Sequence, residues 1–312
     1  MPSQANQPLQ EGTRLENYRV MRLLAAGGFS FVYLAHDENE SPVAIKEYLP
    51  STLSLRTNGA PHPKIADADA AAFRAGLRCF FEEGRSLAHL SHPNVVRVLN
   101  FFRANETVYL VMRYERGRTL QAHIQQRRGA LEERWIRDTF CELLNGLREV
   151  HSGKLLHLDI KPANVYIRND GTPLLIDFGA ARQTLGEEAT KLPPTLTPGF
   201  ASPEQHGRRE ALGPWSDIYC LGATLYACAT GAPPPPADRR LRGDTLIPAR
   251  RAAAGRYSVD LLDTIDACLE LDPLRRPQSG LALQKALRGT ITPPPAPRPF
   301  LSQLRSMIPG MR

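Results

Sequence analysis

The texture of this chain changes once, near residues 115–117, and that change limits the folds open to it. Before it, short runs rich in β-branched and aromatic residues are separated by glycine or by the polar HDENES stretch. They are YRVMRLL from Tyr18, FVYLAH, PVAIKEYL, and residues 95–102 and 107–114. Such runs read as strands joined by turns. One helical pattern interrupts them, residues 73–90, where Phe80, Leu87 and Leu90 recur at helix spacing. After the change, residues 120–127, 132–150, 217–229, 258–270 and 279–287 are mostly helical. A small β-rich lobe over 14–114 therefore precedes a larger helical lobe over 117–288, an α+β chain of two lobes. Residues 51–72, with NGAPHP inside, read as a long loop or insertion. Residues 1–13 are polar and read as disordered, and 289–312 as a proline-rich tail.

Composition bounds the function classes. Of 312 residues, 42% are hydrophobic and 23% charged, enough for a sizeable globular core, and no run approaches a membrane span. The start, MPSQANQPLQEGTR, has neither the basic beginning nor the apolar core of a secretory signal. Five scattered cysteines (79, 141, 220, 228 and 268) show neither metal-ligand spacing nor a disulfide framework, which points to a reducing cytoplasm. The net charge of +7 comes from dispersed arginines. It suits phosphate-bearing ligands or acidic protein partners, and no recognition motif directs it to nucleic acid. In the tail, PPPAP can form a polyproline II segment for a partner that reads one.

Four short stretches carry chemistry. Residues 26–32 (AGGFSFV) form a glycine turn between strands, where backbone N–H groups can approach an anion without a Cβ in the way. In VAIK (43–46), alternation places Ala44 and Lys46 on one face; a lysine in so apolar a strand needs a partner, and the following helix offers Glu82 and Glu83. Residues 157–165 (HLDIKPANV) pack Asp159, Lys161 and Asn164 into a loop clamped between apolar runs. Asp159 can accept a proton, Lys161 can neutralise a phosphoryl group, and Asn164 can offer a carbonyl oxygen to a metal. In LLIDFGAAR, Asp177 ends a buried strand and Phe178-Gly179 permits a sharp turn; a carboxylate so placed suits Mg²⁺, which takes one or two carboxylates plus phosphate oxygens.

Singly, each stretch has a plain structural reading. Together and in this order they resemble the eukaryotic-type serine/threonine protein kinases, bacterial branch, over residues 18 to 287. The resemblance implies a bilobal protein-kinase-like fold and phosphoryl transfer from ATP, with Mg²⁺ or alternatively Mn²⁺, to serine or threonine hydroxyls of proteins, the chain itself included. It implies that Leu24, Ala25, Ala26, Gly27, Gly28, Phe29, Ser30 and Val32 cover the phosphates and the nucleotide, and that Lys46, paired with Glu83, holds the α and β phosphates. Asp159 would orient the hydroxyl and take its proton, Lys161 would stabilise the moving phosphoryl group, and Asn164 and Asp177 would hold the metal. The adenine would lie between Val32 and Ala44 on one side and Tyr166 on the other, with Met112 behind it and the backbone of Arg113 and Glu115 at its edge. Glu204 would pair with Arg276, Asp217 would brace the catalytic loop, and Thr197 would sit in the substrate loop.

The chain departs from the family pattern in three places. The family's three turn glycines fall on Ala25, Gly27 and Ser30, so only the middle one survives. Leu158 replaces the arginine that pairs with an activation-loop phosphate, and Tyr166 is bulkier than the usual leucine. Two other classes compete: a kinase-shaped scaffold and a small-molecule phosphotransferase. The complete set Lys46, Glu83, Asp159, Lys161, Asn164 and Asp177 speaks against the first. Lys161 and the Ser-Pro-Glu run before a long helix speak against the second.

Overall fold

The computed structural model describes residues 6–57, 60–127, 131–178, 196–207 and 211–289. Gly179, Arg182, Thr184, Thr190, Pro193, Pro194, Thr195 and the proline-rich tail from residue 290 lie outside the described residues.

The smaller lobe is a six-stranded antiparallel sheet in the order β1-β2-β3-β4-β6-β5. Its strands are β1 (Arg14–Leu15), β2 (Tyr18–Ala26), β3 (Ser30–His36), β4 (Pro42–Tyr48), β5 (Val98–Ala104) and β6 (Thr107–Arg113). Alternation in β4 sends Val43, Ile45 and Glu47 to the outer face. There Val43 and Ile45 join Tyr33, Tyr109 and Val111 in a core of their own. Ala44 and Lys46 face inward, toward α1 (Ala70–Ala88) and the cleft.

Helix α1 buries Phe73, Phe80 and Leu87, spaced seven apart on one stripe, together with Glu83. Two glycines set how closely it lies on the sheet. A Cβ at Gly84 would come within 2.8 Å of Leu110 Cδ1, and one at Gly76 would overlap the Tyr48 hydroxyl. That close approach brings Glu83 within reach of β4. The helix begins three residues before the periodic apolar pattern, because Ala70–Ala72 favour helix without marking a face.

One sequence expectation is corrected here and another is filled in. The loop read over 51–72 carries, among its described residues, a β-bridge between Leu55 and Lys64 and a fully buried Arg56, and its last residues already belong to the start of α1. From residue 6 the N-terminal segment, read as disordered over 1–13, is laid on the same face: Leu9 is buried and its N–H donates to the Tyr33 hydroxyl at 3.1 Å. Polar composition misleads because backbone and guanidinium bonds, together with the single buried leucine, hold this segment.

The larger lobe packs around α4 (Pro214–Thr230), whose residues 216–229 are all buried. Around it and α3 (Glu133–Ser152) sit α2 (Leu120–Gln126), α5 (Ala237–Arg240), α6 (Ala249–Ala252), α7 (Val259–Cys268) and α8 (Gly280–Leu287). A small sheet of β7 (Gly117–Thr119), β8 (Val165–Arg168) and β9 (Pro173–Leu175) lies on the face toward the smaller lobe. The catalytic-type loop precedes β8, and Asp177 follows β9, so pairing of β8 with β9 brings the two motifs together.

Candidate active site

A cleft of about 590 Å³ lies between the lobes. Leu24, Ala25, Ala26, Gly27, Ser30 and Val32 line one wall. The turn is closed by Gly27 N–H donating to Ser30 O at 2.9 Å, and its tip is fastened to the chain after β4, where Leu49 N–H donates to Phe29 O and Ser51 N–H to Gly28 O. Gly28 and Phe29, also expected to cover the phosphates, are not among the residues that line the cleft, and the Phe29 ring is exposed. Ala44, Met112, Arg113, Glu115 and Tyr166 line the cleft as well, and the Tyr166 hydroxyl lies 3.4 Å from Glu115 O. Tyr114, Thr119, Leu174, Ile176 and Phe178 line it too. Sequence reasoning missed these, although Leu174 and Ile176 fall in the apolar run that leads to Asp177.

At the back, Lys46 Nζ reaches Asp177 Oδ1 at 2.7 Å and Glu83 Oε1 at 3.8 Å. Lys46 and Glu83 are both buried, where an ion pair is far less screened than on the surface. Glu82, the other candidate, points outward and pairs with Arg85. Asp177 has φ +62°, a left-handed backbone that turns its side chain out of the strand and into the cleft.

At the mouth, Asp159 gathers three donors. Oδ2 accepts from Lys161 Nζ at 2.7 Å and from Asn164 Nδ2 at 2.8 Å, and Oδ1 accepts from the Thr197 hydroxyl at 2.7 Å. Lys161 also donates to Thr197 Oγ1 at 2.8 Å, so the loop carrying Thr197 is fastened to both residues. The Asn164 amide donates to the Asp159 carbonyl as well, which leaves its own carbonyl oxygen as the ligating atom. Lysine, asparagine and threonine thus fix the Asp159 carboxylate in one rotamer before any substrate arrives.

The loop is braced from below by Asp217, wholly buried at the first turn of α4. Its carboxylate accepts from the backbone N–H of His157 at 3.0 Å and of Leu158 at 2.7 Å, and hydrogen-bonds His151 Nε2 at 2.8 Å. Burial pushes its pKa up, but the His151 hydrogen bond, the nearby imidazoles and the His157 amide outweigh burial and hold it below the usual aspartate value. Glu204 and Arg276 form the expected pair, a buried two-bond fork at 2.8 and 3.1 Å.

The fit of a metal rests on the donor set. Asn164 and Asp177 offer oxygen only, and among the described residues no group of three or more His, Cys, Asp or Glu is poised to hold a metal by itself. The amide and carboxylate oxygens of Asn164 and Asp177 are of the donor type that suits a hard divalent cation whose shell phosphate oxygens complete.

The sequence profile described as protein kinase domain matches residues 18–287, so the chain belongs to the protein kinase family. It is 30% identical over 287 residues to serine/threonine-protein kinase PknA of Nostoc, covering 89% of this chain and 48% of that protein. It is 30% identical over 231 residues to serine/threonine-protein kinase PknE of Mycobacterium bovis, covering 74% and 38% respectively. The chain thus spans half or less of the length of these curated relatives. Among solved structures it is similar to the PpkA-294 apo form, with a TM-score of 0.80, 35% identity, and 90% of this chain and 99% of that chain covered. The kinase domain of Mycobacterium tuberculosis PknI shares the fold at a TM-score of 0.69 and 23% identity, with 90% and 98% covered. Use of ATP and a divalent metal is general to the family. No helix among the described residues is long and apolar enough to cross a membrane.

Proposed function

We propose that this chain is a protein serine/threonine kinase that transfers the γ-phosphoryl group of ATP to serine or threonine hydroxyls of proteins. The kinase domain occupies residues 14–288, with its own threonines among the acceptors. The observation that carries the reading is the Asp159 carboxylate, held by Lys161, Asn164 and Thr197 at 2.7–2.8 Å, at the mouth of a cleft whose far end holds Lys46, Glu83 and Asp177. A scaffold has no chemical use for a carboxylate so oriented.

Asp159 orients the incoming hydroxyl and receives its proton. Lys161, already beside Asp159, offers positive charge where charge moves onto the transferred group. Lys46 holds nucleotide phosphate oxygens, and Glu83 keeps the ammonium from being pulled wholly toward Asp177. Asn164 and Asp177 would hold Mg²⁺, with Mn²⁺ as the alternative. Held by these two residues, the metal would supply positive charge against the nucleotide phosphates. The five cysteines are free thiols, which suits a reducing cytoplasm.

The test is transfer of label from γ-³²P-ATP to a generic protein substrate by the purified chain, with Asp159→Asn alongside. Asp159→Asn is expected to keep nucleotide binding and to lose about 100-fold or more in turnover, the usual scale of general-base contributions. Label appearing on small molecules and not on protein would replace this reading by the small-molecule phosphotransferase.

A further inference from the structure

The structure assigns Gln205 as a positioning residue that ties the substrate loop to the backbone of the catalytic loop, at the point where an arginine would otherwise answer to phosphate. The inference rests on the kinase reading above.

Gln205 lies in the short turn Pro203–His206 and is 1% exposed. Its Oε1 accepts from Ser202 N–H at 2.9 Å, from Ser202 Oγ at 3.1 Å and from Cys220 Sγ at 3.7 Å. Its Nε2 donates to the Leu158 carbonyl at 2.8 Å. The orientation of the amide is forced, because a backbone N–H can only donate and a carbonyl can only accept. One neutral side chain therefore bridges Ser202 in the substrate loop, Cys220 in α4 and Leu158 in the catalytic loop.

Leu158 is the position under load. Its φ is +59°, a left-handed conformation that a branched-chain residue avoids, and its side chain is buried. Asp217 holds its N–H at 2.7 Å and Gln205 holds its C=O. The Leu158 carbonyl and the Asp159 N–H belong to a single planar peptide unit. A bond that fixes the first sets the direction in which Asp159 leaves the backbone. An arginine at 158 would tie this region to an activation-loop phosphate, whereas leucine cannot. Gln205 makes the tie from the other side, with no phosphate involved. Thr197 fastens the same two loops through side chains, so the substrate loop grips Asp159 at its carboxylate and at its peptide.

The test uses the full chain with two variants. Gln205→Met matches length and volume and removes all four bonds. Gln205→Asn keeps the amide but is one methylene too short to span Ser202 and Leu158 together, and it serves where the methionine variant does not fold. Each folded variant is expected to lose about tenfold or more in kcat, as displaced catalytic groups do, with KM for ATP within about twofold of wild type. Hydrogen exchange is expected to quicken at the amides of residues 157–160. A kcat within about twofold of wild type, a loss confined to KM for ATP, or wild-type exchange at 157–160 would overturn the assignment. Exchange is read without turnover, so a chain that fails to transfer phosphate sinks the kinase reading while this arm still decides the tie.

Discussion

Arg56 forks onto Glu47 with bonds of 2.6 and 2.7 Å, both side chains fully buried, on the opposite face of the strand that carries Lys46. Tyr33 and Tyr109 donate to the same carboxylate at 2.8 Å each, and Arg56 Nε donates to Gln7 O at 2.8 Å. One ion pair therefore gathers the insertion, the N-terminal segment and three strands. Removing one partner of a buried pair strands the other charge, so Arg56→Ala is expected to cost about 3–5 kcal/mol. For a domain of this size that lowers Tm by roughly 2–4 °C per kcal/mol. Arg56→Lys should rescue little, since an ammonium cannot fork across two carboxylate oxygens. Thermal unfolding checks this, and a wild-type Tm for Arg56→Ala would refute it.

That network also shows where the sequence stops being legible. Lys46, Asp159, Lys161, Asn164 and Asp177 could be singled out because the stretches that carry them, each plain when taken alone, occur together in one order. The two-lobe order followed from the shift in periodicity. Arg56 could not be read: its partner lies nine positions away across an aperiodic loop, and an arginine in polar surroundings looks solvated. Gln205 is illegible for the same reason, since its role depends on what Leu158 and Cys220, 47 and 15 positions away, place around it. Glu83 could be told from Glu82 only by analogy, whereas in the structure the helix face decides it.

Asp177 is exposed enough at the cleft to bind metal and pairs with Lys46 at 2.7 Å. Asp177→Ala should leave the apo protein nearly as stable as wild type, because a half-exposed carboxylate contributes little to folding. It should abolish the extra stabilisation that Mg·ATP gives over ATP alone. In wild type, ligand at a hundred times Kd stabilises by about 2.7 kcal/mol. Thermal-shift titrations with ATP, with and without Mg²⁺, read the difference. An equal magnesium-dependent shift in the variant would remove Asp177 from the metal site.

Asp217 should make the catalytic loop sensitive to acid. Its native pKa lies below the ordinary aspartate value of 3.8, so its stabilisation is fully present above that value. It is lost as pH falls through the lower native pKa, because the unfolded chain takes up the proton first. Wild type should then lose stability more steeply than Asp217→Asn as pH drops below about 4. Urea unfolding at a series of pH values from neutral to 3 measures this, and parallel curves for the two proteins would contradict it.

The last prediction concerns Leu158. Where arginine stands there, a phosphate on the activation loop forms charge-assisted bonds that order the loop. Leu158 is buried against the core, and its backbone is already clamped by Asp217 and Gln205. Nothing at this position responds to phosphate, so activity should not need loop phosphorylation. The candidate acceptors are Thr184, Thr190 and Thr195, and the alternative is that another basic residue of the same stretch, Arg182 by sequence, takes over the missing arginine's task. The Thr184, Thr190 and Thr195 triple alanine variant and phosphatase-treated wild type are both expected to phosphorylate an exogenous protein at close to the untreated rate. Labelled phosphate on these threonines is compatible with that result, as a by-product of an active site with acceptors nearby. A large loss of initial rate in both preparations would show that the loop does answer to phosphate, and Arg182→Ala would then be the variant to make.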